Sequence, residues 1–306
     1  MTHHTIHPIK VDGTRRPIPK ALTLPILISL TALISACDKS PDKAAEKPAS
    51  AVQATPAQVA PIFAPIQAVT QSLKATQPNC RGDNCSQANA QRLVFAPPHQ
   101  WINPLVDAQL VILADGGINE TPPQGKTIQA RLNEFVQPDP ELEGLSVGAY
   151  EMDIKSSISD QRDYFLSIAL EGYYYTGGAH GSAVQRYLNL DRRSQKTLSL
   201  DDILLPQQKE KLKALVYQRF VAWVKSNDMG SDIAEYEKMW PFHLSEEWTL
   251  NDKGLVLVYG QYEVGPYVVG MPEFEVAYSE LVGIVKPDYR FAAKPIAGMS
   301  QPPVTR

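Results

Sequence analysis

Tyr164-Phe165-Leu166-Ser167-Ile168-Ala169-Leu170-Glu171-Gly172-Tyr173-Tyr174-Tyr175, followed by Gly177-Gly178 and then Val184 to Leu190, is the stretch that decides the fold. Tyr164, Leu166, Ile168, Leu170 and Tyr174 alternate with Ser167, Glu171 and Tyr175. That period of two belongs to a strand with one buried face. Val184, Leu188 and Leu190 resume the pattern after the glycine pair, where a backbone with positive φ costs little. The two runs predict a long antiparallel hairpin. Successive strand side chains alternate, so Tyr174 is assigned to the core and Tyr173 and Tyr175 to the opposite face. Upstream, Tyr150, Met152 and Ile154 predict a third strand.

Downstream of the hairpin the period changes. Leu212, Leu215, Val216, Phe220, Trp223 and Val224 recur at helical spacing, with Lys209, Lys213, Arg219 and Lys225 turned mainly to solvent. Asn227 and Gly230 mark the end of that helix, and a second short helix is predicted from Asp232 to Lys238. Strands are predicted over Leu255–Tyr259 and Phe274–Tyr278. Together these elements predict an α+β fold, an antiparallel sheet of long hairpins covered by one main amphipathic helix.

The ends of the chain have a different composition. Arg15, Arg16 and Lys20 precede an uncharged, mostly apolar run from Ala21 to Ala36, and Ile34-Ser35-Ala36-Cys37 closes it with small residues. The run is short for a membrane span, and its exit reads as a processing site. It resembles the lipobox of bacterial lipoproteins, which implies a signal peptide at 1–36 and acylation of Cys37. The protein is then anchored to a membrane on the periplasmic side of the envelope. Asp38, beside the cysteine, resembles an inner-membrane retention signal. Residues 37–79, rich in Ala, Pro, Gln, Lys and Ser, are assigned to the lipidated cysteine and a disordered tether, with Ile62, Phe63 and Ile66 as one apolar patch able to dock. The folded region divides into 80–195 and 196–290, and 291–306 is a disordered tail. Cys80 and Cys85 flank a polar turn in an exported chain, and a disulfide between them is expected.

The 306-residue chain has a formal net charge of −4, and its leader carries Lys10, Arg15, Arg16 and Lys20 against Asp12 alone. The mature chain is therefore more acidic still. That argues against nucleic acid or anionic headgroups as partners, which require clustered Lys and Arg. It is compatible with a cationic partner.

Three segments carry a resemblance. They are Tyr173-Tyr174-Tyr175-Thr176-Gly177-Gly178-Ala179-His180-Gly181 with Tyr187-Leu188-Asn189-Leu190-Asp191; Lys196-Thr197-Leu198-Ser199-Leu200-Asp201-Asp202-Ile203-Leu204; and Gly254-Leu255-Val256-Leu257-Val258-Tyr259 with Tyr262-Glu263-Val264-Gly265-Pro266-Tyr267. Over about residues 125–285 the chain resembles the RsiV-like extracytoplasmic domain family, whose related segments accompany the peptidoglycan deacetylase PdaC and occur in many lipoproteins. The resemblance implies ligand capture at the envelope, with lysozyme, a cationic wall hydrolase, or peptidoglycan as the partner. Neither a sigma-binding segment nor a separate deacetylase domain is recognisable in this chain.

The residues themselves give no catalytic motif. After the leader, His99, His180 and His243 lie far apart, HExxH and GxSxG are absent, and Gly125-Lys126-Thr127 lacks the earlier glycine of a phosphate-binding loop. No cofactor, metal or catalytic residue is assigned. His180, after the glycine pair, either holds the hairpin turn by a hydrogen bond or contacts a ligand. Glu263, between Tyr262 and Tyr267, either meets a basic side chain or sugar hydroxyls or closes an ion pair to Arg186 or Arg219. The candidate binding residues are Tyr173, Tyr175, His180, Tyr262, Glu263 and Tyr267. The alternative function is an envelope hydrolase or peptidoglycan deacetylase with a site assembled from distant residues.

Overall fold

The computed structural model describes residues 63–82, 84–117, 121–137 and 148–291. Cys37, the leader, the tether up to residue 62 and the tail from residue 292 lie outside those residues. The first sheet contains β1 (Val69–Thr76), β2 (Gln87–Val94), β3 (Glu151–Arg162), β4 (Phe165–Tyr175), β5 (Ser182–Asp191) and β6 (Lys196–Thr197), in that spatial order. All neighbours are antiparallel except β2 and β3, which run parallel. A parallel pair needs a crossover. Here α1 (Asn103–Ala114) and α2 (Ile128–Phe135) lie on that connection.

The hairpin predicted from the tyrosine stretch is β4 and β5, in register from Phe165↔Asp191 to Tyr174↔Ser182. Leu166, Ile168, Leu170 and Leu190 are fully buried in a core shared with Leu110 and Leu113 of α1 and Leu132 of α2. Tyr174 joins this core, and its hydroxyl donates to the Leu113 carbonyl oxygen at 2.7 Å.

A second core forms around α3 (Leu200–Ile203), α4 (Lys209–Ser226), α5 (Ile233–Met239), and a three-stranded antiparallel sheet of β7 (Trp248–Leu250), β8 (Gly254–Val258) and β9 (Glu273–Ala277). The predicted amphipathic helix is α4, but it does not cover the hairpin sheet. Its buried residues Leu212, Val216, Phe220 and Val224 belong to the second core, and Phe220 and Trp223 meet Phe274 of β9 edge-on. The hairpin sheet is covered by α1 and α2 instead. In α1 apolar side chains surround nearly the whole helix, with every residue from Leu110 to Ala114 buried, so no amphipathic stripe announces it.

The tether expected through residue 79 ends earlier. Val69–Thr76 is the edge strand of the first sheet, and Ile66 is buried. The Gln161 side-chain amide clasps the Ile66 backbone, accepting from its N–H at 2.8 Å and donating to its carbonyl oxygen at 3.0 Å. Phe63 packs edge-on against Tyr164 and lies under the Arg192 guanidinium. The Cys80–Cys85 disulfide follows β1. Among the described residues, no helix is long and apolar enough to cross a membrane.

Asp191, at the end of β5, ties the sheet to the last turn of the described chain. Its carboxylate accepts from the Arg193 guanidinium, from the backbone N–H groups of Arg193 and Ser194, and from the Tyr289 hydroxyl. Burial alone would raise its pKa, but the donors outweigh burial and hold it below the usual aspartate value. The stability it contributes is therefore present above the ordinary aspartate range and is lost as pH falls through its lowered pKa. Asp191→Ala is expected to cost about 3 kcal/mol at neutral pH and to flatten the acid limb of the stability curve, as read by urea denaturation between pH 3 and 7.

Candidate functional site

The second sheet covers only one end of the first sheet's outer face. Phe165 stacks on Trp248 at 6.1 Å, Thr249 Oγ1 donates to Ser167 Oγ at 2.8 Å, and Asn189 Nδ2 donates to the Trp248 carbonyl oxygen at 2.7 Å. Towards the β4–β5 turn that face is left open, and the candidate binding residues gather there.

The turn is made by Gly177 and Gly178, at φ values of 96° and 94°, which a side chain would strain. The Tyr175 hydroxyl donates to the Gly178 carbonyl oxygen at 3.0 Å. His180 is exposed, its Nδ1 lies 3.0 Å from the Gly181 carbonyl oxygen, and its ring stacks on Tyr267 with centroids 3.9 Å apart. Both roles weighed for His180 are thus compatible with its position, one nitrogen at the turn and one ring face in an aromatic cluster. Gly181 permits the close approach of its neighbours. A Cβ there would lie 2.5 Å from the Tyr173 ring, and its carbonyl oxygen also accepts from the Tyr267 hydroxyl at 3.0 Å.

The loop from Gly260 to Gly270 is fastened to β5 by the Ala183 N–H, which donates to Gln261 Oε1 at 2.8 Å. That bond brings Tyr262 beside Tyr267 at 5.7 Å, and Tyr262 in turn stacks on Trp240 at 6.5 Å. His180, Tyr267, Tyr262 and Trp240 therefore form one continuous aromatic strip. Tyr262 is 52% exposed and sits at φ 63°, a left-handed backbone that a bulky side chain rarely adopts. Met239 and Val268 are also exposed on α5 and on this loop.

Glu263 does not bridge to Arg186 or Arg219. Arg186 pairs with Glu247 at 3.1 Å and Arg219 with Glu280 at 2.6 Å. Glu263 is held by His243 Nε2 and by the Gly260 N–H, so its carboxylate closes the turn that presents Tyr262. Burial raises the Glu247 carboxyl above the usual range, offset in part by the Tyr187 N–H and the Arg186 charge.

Beside the strip, the open sheet face forms a groove of about 250 Å³. It is lined by Gly172, Tyr173, Ala183 and Met271 together with the polar side chains of Asn89, Gln91, Asp153, Lys155 and Glu171. Asn89 Nδ2 donates to Asp153 Oδ1 at 2.9 Å, and Lys155 pairs with Glu171 at 3.0 Å. Tyr173, 40% exposed, lines the groove and touches Gly181, which links groove to strip. Among the described residues no group of three or more His, Cys, Asp and Glu side chains is placed to hold a metal ion.

Of the six candidate residues, His180, Tyr262 and Tyr267 are brought into the strip, with Tyr173 joined to it through Gly181. Glu263 supports it from behind, and Tyr175 is engaged with the turn. Trp240, His243 and the polar residues of the groove were not singled out from sequence. Those of β3 were implied by the alternation around Met152 and Ile154, whereas β2 carries Ala88 and Ala90 on its buried face and gives almost no hydrophobic alternation.

The fold is thus a two-sheet α+β architecture with an aromatic surface at the sheet junction. Residues 201–279, which include Trp240, Tyr262, Glu263 and Tyr267, match DUF3298, a protein family of unknown function. The chain is similar in structure to a DUF3298 family protein from Pseudomonas aeruginosa, with 27% identity and a TM-score of 0.62, over 76% of this chain and 99% of that one. It shares its fold with a DUF3298 family member from Bacteroides fragilis, with 18% identity and a TM-score of 0.54, over 72% and 93% of the two chains. No curated protein matches this chain.

The left-handed backbone at Tyr262 can be tested for strain directly. Glycine relieves left-handed strain and alanine does not, so Tyr262→Gly should be more stable than Tyr262→Ala by about 1 kcal/mol, the reverse of their usual order. Urea midpoints of the two purified variants read this difference.

Proposed function

We propose that the protein is a lipid-anchored, non-enzymatic binding protein of the bacterial cell envelope that captures a cationic protein of the lysozyme kind, with peptidoglycan as the other ligand suited to the same face. The observation that carries this reading is the aromatic strip. Four rings lie in sequence on the surface, and one of them is held exposed by a strained backbone. Large rigid rings give much contact area for little lost conformational freedom, and for that reason tyrosine and tryptophan dominate protein-binding hot spots.

Charge supports a basic partner. The chain is net acidic, and Asp232 and Glu235 border the hollow walled by Met239 and Trp240. Oppositely charged surfaces speed encounter and exclude wrong partners more than they tighten the complex. The resemblance to RsiV-like extracytoplasmic domains supports the same choice. The leader at 1–36, which ends just before Cys37, supports anchoring, and several acyl chains on one cysteine would hold durably, since each buried methylene contributes about 0.8 kcal/mol.

Calorimetric titration of the purified protein with lysozyme tests the capture. Saturable heat is expected at low salt, with an affinity that weakens as ionic strength rises. Tyr262→Ala and Trp240→Ala should each weaken binding at least about tenfold, about 1.4 kcal/mol. No heat at about 100 μM of both proteins in low salt would remove lysozyme as the partner. For the anchor, labelled palmitate should be incorporated into the intact chain and not into Cys37→Ala.

A further inference from the structure

The groove on the open sheet face is distinct in chemistry from the strip beside it. We propose that it is a saccharide subsite, which takes one neutral pyranose ring against Tyr173 with its hydroxyls hydrogen-bonded to Asn89, Gln91 and Asp153. The inference rests on the reading of this face as a capture surface and names the ligand class of one part of it.

Three observations converge on that class. The first is the kind of polar group on offer. Asp153 already accepts from Asn89, and Glu171 is neutralised by Lys155. Asp153 keeps its charge, since its partner is a neutral amide, so a basic group is the rival occupant that the test below must separate; the hydrogen-bonding capacity on offer lies in amide groups and carboxylate lone pairs. Sugar hydroxyls, each donor and acceptor at once, match that mixture. The second is the division of surfaces. Polar side chains line the groove together with Gly172, Ala183, Met271 and the Tyr173 ring, which supply apolar contact. A pyranose is likewise amphipathic, with a C–H face that packs on an aromatic ring and an equatorial belt of hydroxyls.

The third is size and rigidity. At about 250 Å³ the groove falls just under the range of about 300–1,000 Å³ that holds drug-sized ligands, and suits one ring. Its polar groups come from three adjacent strands in fixed register, with Asn89 beside Asp153 and Asp153 beside Tyr173. Preorganised groups lose little freedom when a ligand arrives.

The test is an NMR titration of the protein with tri-N-acetylchitotriose, cellotriose and, separately, arginine amide. Backbone amide shifts at Gly172, Asp153 and Ala183 are expected to saturate with at least one of the saccharides, at a Kd of about 1 mM. Tyr173→Ala should weaken this at least about tenfold, while Tyr173→Phe keeps the ring and should bind within about threefold of the parent. Gln91→Ala should cost about fivefold. Retention of the remaining amide spectrum establishes that each variant is folded. No saccharide response at about 20 mM would overturn the inference. So would shifts confined to the Tyr262 and Trp240 region, or a groove response to arginine amide alone, which would mark a cation slot. Lysozyme binding that is lost in Tyr262→Ala but intact in Tyr173→Ala, with no saccharide response, would sink the subsite and leave the capture reading standing. A saccharide response in a protein that gives no heat with lysozyme would do the reverse.

Discussion

The arrangement depends on how little of the first sheet the second sheet covers. Contact between them is made by a stack of Phe165 on Trp248 and by hydrogen bonds among Ser167, Asn189, Thr249 and the Trp248 carbonyl oxygen. These side chains are buried, and a buried donor that loses its partner is costly. The pairing therefore fixes register as well as adhesion. A shift of β7 along β4 and β5 would break both hydrogen bonds at once and leave their groups dry and unpaired. Apolar contacts alone would slide more easily, because hydrophobic burial has no direction.

Once that register is set, the position of the loop from Gly260 to Met271 follows. β8 ends at Val258, and the chain must return to begin β9 at Glu273, paired to Val258 itself. The intervening residues have to project beyond the small sheet, over the bare part of the large one. There the Ala183 N–H, left without a strand partner on that side, finds Gln261, and the Gly181 carbonyl oxygen finds Tyr267. Glu263 completes the loop by accepting from its own backbone at Gly260 and from His243. The aromatic strip is thus a consequence of loop closure against an unfinished sheet face. Tyr262 is its one costly member. A left-handed bulky residue carries about 1–2 kcal/mol of strain, and such outliers persist where the surroundings over-determine them.

The same logic separates what the sequence displays from what it hides. β3, β4 and β5 are legible because Met152, Ile154, Leu166, Ile168, Leu170, Leu188 and Leu190 alternate with polar residues. α4 is legible because Leu212, Val216, Phe220 and Val224 repeat at helical spacing. β1 is almost wholly exposed and β2 buries alanines, so neither produces a hydrophobic period, and composition alone made residues 63–79 resemble a tether. α1 is buried on nearly every side and loses its stripe for the opposite reason. The candidate residues near the turn were visible as an unusual concentration of tyrosine and glycine. Their neighbours were not, because Trp240 and His243 are remote from His180 in sequence and meet the strip only through the loop. Glu263 shows the limit most clearly: its two candidate arginines were plausible by charge, but Glu247 and Glu280 hold them in the fold.

That outcome bears on whether the surface transforms its ligand or holds it. General acid–base work needs a group in reach of the ligand whose proton can move at working pH, and nucleophilic work needs a base aimed at the attacking atom. Around the groove the carboxylate of Asp153 accepts from Asn89 and that of Glu171 is paired with Lys155. Glu263 is turned into the loop it supports, and the one His ring in the strip is committed face-on to Tyr267. The polar groups on this face hold positions relative to one another, and the rings of the strip offer large, rigid area. A surface built that way gains from contact and from preorganisation, which are the terms that set affinity.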